Sequence, residues 1–217
     1  MSAAPPSSGQ QGAGIAGLIL AAGESSRMAS LGTHKALLSY RGRTFLEHIV
    51  ETLRQAGVDP IVVVLGHAAE QIRTRLAGRL DPARVVVNRD YKLGQTTSLH
   101  TGLDALAETP GAPGVEALIL SLVDHPTVSP DTIRAVIAAF RQSGAAAVVP
   151  TYRNRGGHPV LINRSIFREL KSLGLDAGAN TVIRKYRDAT QFLEVDDPGV
   201  LVDVDDPESY ERLLRCP

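Results

Sequence analysis

The segment between residues 20 and 35 combines small or apolar residues with positive charge. It opens with Leu20, Ala21, Ala22 and Gly23. Because these residues leave little side-chain bulk, their amides can converge on an anion as a backbone nest. Arg27 adds a guanidinium that can grip phosphate through two hydrogen bonds, and Lys35 adds a compact ammonium. These features fit a phosphate-binding loop, and a glycine-containing turn with two surface cations is the alternative.

Acidic residues follow two other parts of the chain. Asp124 comes directly after the apolar run 117–123, and a carboxylate at such a strand end faces the ligand crevice. Mg²⁺ usually takes one or two protein carboxylates together with phosphate oxygens, so Asp124 is a candidate ligand. A helix-capping or surface aspartate is the alternative. Near the C-terminus, Asp203 and Asp205 alternate with valine, and in a strand they would point to the same face.

The elements that must position these residues follow from apolar periodicity. Short β-branched runs predict strands over 15–20, 60–65, 84–87, 117–123, 145–149, 159–162, 192–195 and 201–204. Apolar residues at helical spacing predict helices over 44–56, 68–76, 96–106, 130–142, 165–173, 178–186 and from 207 onwards. Ser129, Pro130 and Asp131 form a helix start, with Ser129 as the N-cap. Asp206, before Pro207, is expected to cap the last helix.

Strands that alternate with amphipathic helices indicate βαβ units, and therefore a mostly parallel sheet covered on both faces. We expect an α/β fold: one Rossmann-like, doubly wound domain over residues 15–217. Residues 1–14, rich in Pro, Ser, Gly and Gln, are expected to form a disordered leader. In such sheets ligands bind outside the carboxyl ends of the strands. The residues just after Leu20, Leu65 and Val123 are therefore the expected site.

Composition and charge disfavour several classes of function. The chain has 217 residues, and 23 Lys and Arg balance 23 Asp and Glu, so no global field favours nucleic acid or an anionic membrane. No apolar run approaches the roughly 20 residues that span a bilayer. The single Cys216 leaves no disulfide framework, and the histidines at 34, 67, 100 and 125 lack zinc spacing. We expect a cytoplasmic protein with neither nucleic-acid nor membrane partners.

The loop pattern excludes two common nucleotide motifs and matches a third. No Gly-Lys-Ser/Thr follows at Walker A spacing, and Gly12, Gly14 and Gly17 precede or enter the first strand instead of following it. Leu20–Met28 instead resembles the signature loop of the molybdenum cofactor nucleotidyltransferases, Leu-Ala-Ala-Gly-x-Ser-x-Arg-Met-Gly-x-x-Lys. Relative to that pattern, three residues, 29–31, are inserted before the Gly-x-x-Lys end at Lys35. The resemblance implies a nucleotide-diphospho-sugar transferase type of fold, with the triphosphate held against Arg27 and Lys35.

The same resemblance assigns a metal site. Asp124-His125-Pro126 matches the family's metal-binding Asp-x-Pro, and residues 203–208 resemble its C-terminal motif, which supplies a second contact. The resemblance therefore implies Mg²⁺ on Asp124 and Asp205, with Asp203 as a neighbour. It makes Arg27, Lys35 and Asp124 the catalytic residues.

The resemblance also implies residues for the nucleotide and the acceptor. Besides the first loop, the nucleotide-binding candidates are Gly66, Asn88, Gly94 and Ser98. The acceptor-binding candidates are His158, within a segment similar to that of cofactor cytidylyltransferases, and Asp176 and Asn180. Asn180 stands where the family has an arginine, which argues that the acceptor differs, because an amide carries no charge.

These inferences predict a Mg²⁺-dependent nucleotidyltransferase that moves a nucleoside monophosphate from CTP or GTP to a phosphorylated acceptor, with molybdopterin first among the acceptors. A molybdoenzyme or its chaperone is an expected transient partner. Transfer to a sugar, polyol or other small phosphate is the alternative within enzymes. A non-catalytic nucleotide-binding regulator is the alternative outside them.

Overall fold

A computed structural model describes residues 14–110 and 114–215 of the chain. The predicted leader lies outside these residues except for Gly14, and Cys216 lies outside them too, so the leader stays a prediction. The strands are β1 (Ile15–Ala21), β2 (Ser39–Tyr40), β3 (Arg43–Thr44), β4 (Ile61–Leu65), β5 (Arg84–Val87), β6 (Ala117–Leu122), β7 (Ala147–Tyr152), β8 (Arg155–Gly156), β9 (Val160–Asn163) and β10 (Thr190–Glu194).

Seven α-helices are described. They are α1 (Phe45–Gln55), α2 (Ala69–Arg75), α3 (Gln95–Ala107), α4 (Pro130–Ser143), α5 (Phe167–Lys171), α6 (Ala179–Lys185) and α7 (Pro207–Arg215). Ser129 caps α4 as predicted, because its hydroxyl accepts a hydrogen bond from the Thr132 amide. Asp206 accepts from the Ser209 amide at 2.7 Å, which confirms it as the cap of α7. No helix within the described ranges is both long and apolar enough to cross a membrane.

One sheet organises the chain in the order β10-β7-β9-β6-β1-β4-β5, with β8 paired to β7. β6 is the central strand, and β1 lies beside it, parallel to β6 on one side and to β4 on the other. The sheet is mostly parallel, as predicted, and β9 runs antiparallel to both β6 and β7. The predicted strand over 201–204 is wrong: a 3-10 helix, Pro198–Leu201, occupies its start, and residues 202–205 join no sheet.

The sheet carries an apolar core on each face. Alternate residues of β1 serve opposite sides, with Ile15 and Ile19 in one cluster and Leu18 and Leu20 in the other. Because both faces are covered, β1 is buried along its whole length, which explains its unbroken apolar sequence. A third cluster joins Met28 of the first loop to Val204 near the C-terminus, so segments far apart in the chain are held together beside the sheet.

Candidate active site

A pocket of about 260 Å³ opens at the carboxyl ends of β1 and β6. Its lining includes these residues predicted for the site: Leu20, Ala22, Gly23, Arg27, Lys35, Ser98, Asp124 and Asp205. The topology explains the convergence, because β1 and β6 are adjacent parallel strands whose ends deliver Leu20 and Asp124 to the same edge. The first loop and both acids therefore meet around one cavity.

Close packing shapes the backbone beneath the first loop. A Cβ added at Gly66 would lie 2.6 Å from the Ala22 carbonyl oxygen and 2.7 Å from the Tyr91 Cβ. Only glycine fits that gap without displacing Ala22 and Tyr91, which both line the pocket. Gly66 lies behind the pocket lining and shapes it. Ala21 is buried in the core and also lies outside the lining.

Lys35 lies between the two carboxylates. Its Nζ is 2.6 Å from Asp205 Oδ1 and 3.3 Å from Asp124 Oδ2, and only 8% of its side chain is exposed. Arg27 contacts the other oxygen of Asp205 at 2.7 Å, but 69% of its side chain is exposed. The two cations therefore differ: Lys35 is fixed at the floor of the pocket, whereas Arg27 reaches it from solvent.

Val204 holds the C-terminal acids against β6. Its amide donates to the Asp124 carbonyl oxygen at 3.0 Å, and its side chain is buried in the cluster that contains Met28. Because successive side chains of an extended segment point to opposite sides, Asp203 and Asp205 both face away from that cluster. The predicted shared face is thus retained although the segment is not a strand.

The two C-terminal acids titrate differently. Burial alone would raise the pKa of Asp205, but the Lys35 hydrogen bond and the charges of Lys35 and Arg27 outweigh it and lower that pKa. Burial raises the pKa of Asp203, and the negative charges of Asp124 and Asp205 add to the rise. Asp205 is thus paired with two cations, whereas burial and acidic neighbours disfavour the charged form of Asp203.

Asp124, His125 and Asp203 can hold a divalent metal. One potential ligand atom from each lies within 4.8 Å of the others. Asp124 Oδ1 is buried without a hydrogen-bond partner among the described residues, and a buried carboxylate oxygen is costly unless something satisfies it. Hard carboxylate oxygens suit Mg²⁺ or Mn²⁺, so the residues fit the metal that the resemblance implies.

Gly94 and Ser98 belong to the start of α3, and Asn88, which follows β5, contacts that start. Asn88 is buried, and its amide donates to Ser98 Oγ at 2.9 Å and to Thr97 Oγ1 at 2.8 Å. Gly94 precedes the helix with φ of 116°, a conformation that side chains disfavour. Among these three, Ser98 lines the pocket, and Asn88 orients it.

The acceptor candidates lie around the pocket and not in its lining. His158 packs behind Asp124 against His125, with ring centroids 4.8 Å apart, and burial lowers the pKa of His158 to about 4. Asp176 and Asn180 are exposed, and the loop that carries Asp176 is tied to α3 by a hydrogen bond from Thr96 to the Ala177 carbonyl. Their role toward an acceptor stays a prediction.

Comparison with known proteins identifies the family. The model of the MobA-like NTP transferase domain matches residues 17–190. The chain belongs to this family. It is a nucleotidyltransferase of the MobA-like type, although the matched span ends before Asp203 and Asp205.

A curated relative covers nearly the whole MobA-like chain. Nicotine blue oxidoreductase of Paenarthrobacter nicotinovorans is 33% identical over 206 residues, 92% of this chain and 96% of the relative. Two other curated relatives are bifunctional proteins, and the chain spans only 30% and 38% of their lengths.

Solved structures share the fold. Rv0371c from Mycobacterium tuberculosis H37Rv has a TM-score of 0.80 and 35% identity, and covers 94% of this chain and 99% of its own. A complex of Rv0371c with manganese has a TM-score of 0.75 and 32% identity, over 94% and 100% of the two chains. A nucleotidyl transferase from Methanothermobacter has a TM-score of 0.75 and 27% identity, over 92% and 95%.

Sequence reasoning missed several residues that line the MobA-like pocket. His34, Tyr91 and Gln95 are the main ones, with Ser26 in the first loop, whereas Ser25 belongs to the signature pattern. No sequence pattern marks Tyr91. It lines the pocket through a short 3-10 helix, Tyr91–Leu93, which apolar spacing does not predict. His34 occupies a variable position of the Gly-x-x-Lys pattern, and its place directly before Lys35 is the signal that could have drawn attention to it.

Proposed function

We propose that the protein transfers a nucleoside monophosphate from CTP or GTP to a phosphorylated acceptor and releases pyrophosphate. The observation that carries this proposal is the position of Lys35, whose Nζ contacts both Asp124 and Asp205 at the floor of the pocket. The small-residue loop borders the same cavity. Cations for a triphosphate and carboxylates for a metal thus converge beside a backbone that a ligand can approach closely.

The proposed reaction is a direct displacement at phosphorus. An acceptor phosphate oxygen attacks the α-phosphorus and forms the new P–O bond, while the bond from the α-phosphorus to the bridging oxygen breaks and its electron pair leaves with pyrophosphate. Arg27 and Lys35 would neutralise the triphosphate, and amides of the first loop would orient it. No covalent enzyme intermediate is needed.

Mg²⁺ is the proposed cofactor. Asp124 would hold it with a second carboxylate, which is Asp205 by the family resemblance, whereas the grouping with His125 favours Asp203. Bound there, the ion would supply Lewis acidity and neutralise negative charge on the phosphate oxygens. The manganese complex of Rv0371c supports a divalent metal in this family.

Molybdopterin is the proposed acceptor, by resemblance to the family's cofactor transferases. Residues 155–159, which contain His158, and the loop with Asp176 support this choice through their similarity to acceptor segments. A cytoplasmic location and a transient contact with a molybdoenzyme or its chaperone are part of the proposal. Mass-resolved assays with molybdopterin and either CTP or GTP test it, and the absence of any nucleotidyl adduct with both would exclude molybdopterin.

Asn180 favours a wider search for the acceptor. It is exposed and uncharged where the family pattern has arginine, so a phosphate would lose a charged partner there. Sugar, polyol and other small phosphates therefore belong in the same assay. Pyrophosphate release with one of these acceptors and none with molybdopterin would favour this alternative.

A second candidate activity is oxidation–reduction, favoured by the 33% identity to an oxidoreductase across nearly its whole length. The loop after β1 lacks the dinucleotide glycine fingerprint, which weighs against a nicotinamide cofactor bound in that manner. Following nicotinamide absorbance and pyrophosphate release in parallel separates the two activities. Cofactor oxidation without pyrophosphate release from any triphosphate would favour the second.

Replacement of Asp124 tests the proposed reaction. Asp124→Ala should reduce turnover by on the order of 10²–10³ or more while the fold survives, by analogy with other losses of a positioned electrostatic contact. Asp131→Ala is the matched control, because Asp131 is exposed at the start of α4. Pyrophosphate release near the wild-type rate in Asp124→Ala would refute the assignment, and triphosphate binding without release in the wild type would favour a regulator.

A further inference from the structure

His34 connects the two ends of the phosphate-binding segment. Its Nε2 lies 2.8 Å from the Gly23 carbonyl oxygen, and its Nδ1 accepts a hydrogen bond from the Ala36 amide at 3.1 Å. The residue is only 5% exposed. One imidazole therefore joins the beginning of the loop after β1 to the short 3-10 helix that contains Lys35.

Both ring nitrogens are already engaged. Because Nδ1 accepts from an amide, the ring proton is on Nε2, which donates to Gly23. Burial lowers the pKa of His34, and this outweighs the Gly23 hydrogen bond, which acts in the opposite direction. The charges of His67 and Lys35 also lower that pKa, so the neutral ring is favoured. A ring in this state has no free nitrogen for a metal or for proton transfer, and its chemistry is limited to holding its two partners.

The two segments that His34 joins carry the proposed phosphate contacts, Gly23 in one and Lys35 in the other. Gly23 lines the pocket, and Lys35 follows His34 directly in the chain. The Lys35 amide also donates to Ser25 Oγ at 3.3 Å, while its ammonium reaches Asp124. The position of His34 therefore sets the distance between the loop amides and the ammonium that would grip the same triphosphate.

The intervening chain has contacts of its own: Ser26–Leu31 forms a 3-10 helix, and Arg27 pairs with Asp205. Met28 is buried, but Arg27 and Gly32 on either side of it are not. Ser25 adopts φ of 52°, an unfavourable conformation for a residue with a side chain. The ring of His34 joins the two ends of this loop, beside the hydrogen bond from the Lys35 amide to Ser25 Oγ.

We infer that His34 is a positioning residue for nucleotide binding and transfer: through Gly23 it fixes the backbone cradle relative to Lys35. This inference rests on the proposed function. A misplacement of about 1 Å in a site of this kind can cost on the order of 10²-fold in rate. Loss of the Gly23 bond should therefore affect triphosphate binding and turnover more than it affects folding.

Two substitutions separate the roles of the two ring nitrogens. In His34→Asn the side-chain oxygen can replace Nδ1, since Asn readily accepts from the amide two residues on, but nothing reaches Gly23. In His34→Gln the longer amide can replace the Nε2 donor toward Gly23, while the bond from Ala36 is lost. His100→Asn is the matched control, because His100 Nε2 makes an equivalent 2.9 Å contact with the Leu170 carbonyl outside the pocket.

Triphosphate affinity by calorimetry, KM and kcat for pyrophosphate release, and thermal stability are measured for each variant. His34→Asn should lose on the order of 10–100-fold in kcat/KM and bind CTP or GTP more weakly, as expected for a residue that supports a contact residue. His34→Gln should have kcat/KM and triphosphate affinity close to those of the wild type, even if it unfolds at a lower temperature. His100→Asn should keep the wild-type values of both.

The inference is overturned if His34→Asn keeps wild-type affinity and kcat/KM, or if both His34 variants lose activity only in proportion to stability. Should His34→Asn fail to fold, His34→Gln alone decides: a large rise in its KM contradicts the inference. A wild-type protein that binds no triphosphate contradicts the proposed function instead, so the two failures are distinguishable.

Discussion

The ammonium of Lys35 lies 2.6 Å from Oδ1 of Asp205, although the two residues are 170 positions apart in the chain. β1 and its loop deliver Lys35, whereas the bond between Val204 and Asp124 delivers Asp205. The contact thus requires the first strand, the central strand β6 and the C-terminal segment to be in place together. A preorganised charge of this kind costs no rearrangement when a substrate arrives.

Lys35→Met removes this charge while it keeps most of the buried side-chain volume. We expect kcat for pyrophosphate release to fall by on the order of 10²–10³, because the triphosphate loses a fixed counter-charge. Metal binding to the protein alone should not weaken, since two carboxylates lose a competing cation. Lys171→Met, which breaks an exposed pair with Asp104, is the control. Wild-type kcat in Lys35→Met would contradict the role of this lysine.

Asp203→Asn and Asp205→Asn distinguish the two candidates for the second metal ligand. Asp205 is paired with Lys35 and Arg27, whereas Asp203 groups with Asp124 and His125. We expect Asp203→Asn to weaken Mn²⁺ binding without nucleotide on the order of tenfold or more, and Asp205→Asn mainly to impair turnover. Electron paramagnetic resonance of free Mn²⁺ gives both affinities. The reverse order would favour Asp205 as the ligand.

Gly66→Ala should distort the pocket, because the new methyl group would push against residues that line it. The added methyl group would come within 2.6 Å of Ala22 and 2.7 Å of Tyr91, so the pocket lining must move. We expect weaker triphosphate binding and a loss of about 1–3 kcal/mol in the free energy of unfolding, typical of overpacking. Gly114→Ala is the control, because no atom lies within 4 Å of its new Cβ. Unchanged affinity in Gly66→Ala would show that the packing can relax.

The start of α1 should confer a pH-dependent part of the stability. Glu47 accepts hydrogen bonds from the amide and hydroxyl of Thr44 at 2.8 and 2.7 Å, and it pairs with Arg79. Burial alone would raise the pKa of Glu47, but these hydrogen bonds and the Arg79 charge outweigh it and hold that pKa below its ordinary value.

A lowered pKa in the folded state means that Glu47 stabilises the fold above its unfolded pKa, about 4.3. That contribution disappears as the pH falls through the lower folded value. Glu47→Gln can keep the capping hydrogen bonds with Thr44 but loses the charge that faces Arg79. It should therefore unfold at a lower urea concentration than the wild type at pH 7, and the difference should narrow toward pH 4 and below. A difference that grows on acidification would contradict the argument.

The order of strands and helices was largely predictable because both core faces impose regular apolar spacing. The runs at 15–20 and 117–123 mark strands almost to the residue. The strand prediction for 201–204 was wrong. Valine and aspartate alternate there because Val204 packs into a small apolar cluster, and not because the segment joins a sheet. The antiparallel direction of β9 depends on how a connection crosses the sheet, which apolar spacing does not encode.

The candidate site was predictable where chemistry and element ends coincide. The loop after β1 and Asp124 after β6 are of this kind, because parallel neighbouring strands bring their ends together. His34 and Tyr91 were missed because their places depend on 3-10 turns and on packing across the pocket. Asn88 shows that a polar residue at a strand end need not face the pocket. It follows a strand, but its amide donates hydrogen bonds to Ser98 and Thr97.

We propose that a metal-bound triphosphate lies between the first loop and Asp124. Anomalous diffraction from a crystal grown with Mn²⁺ and a CTP or GTP analogue that cannot be cleaved between the α- and β-phosphorus would locate both the metal and the phosphates. We expect an anomalous peak in direct contact with Asp124 Oδ1, with phosphate oxygens against Gly23 and Lys35. A metal bound away from Asp124, or phosphates that do not touch the first loop, would contradict it.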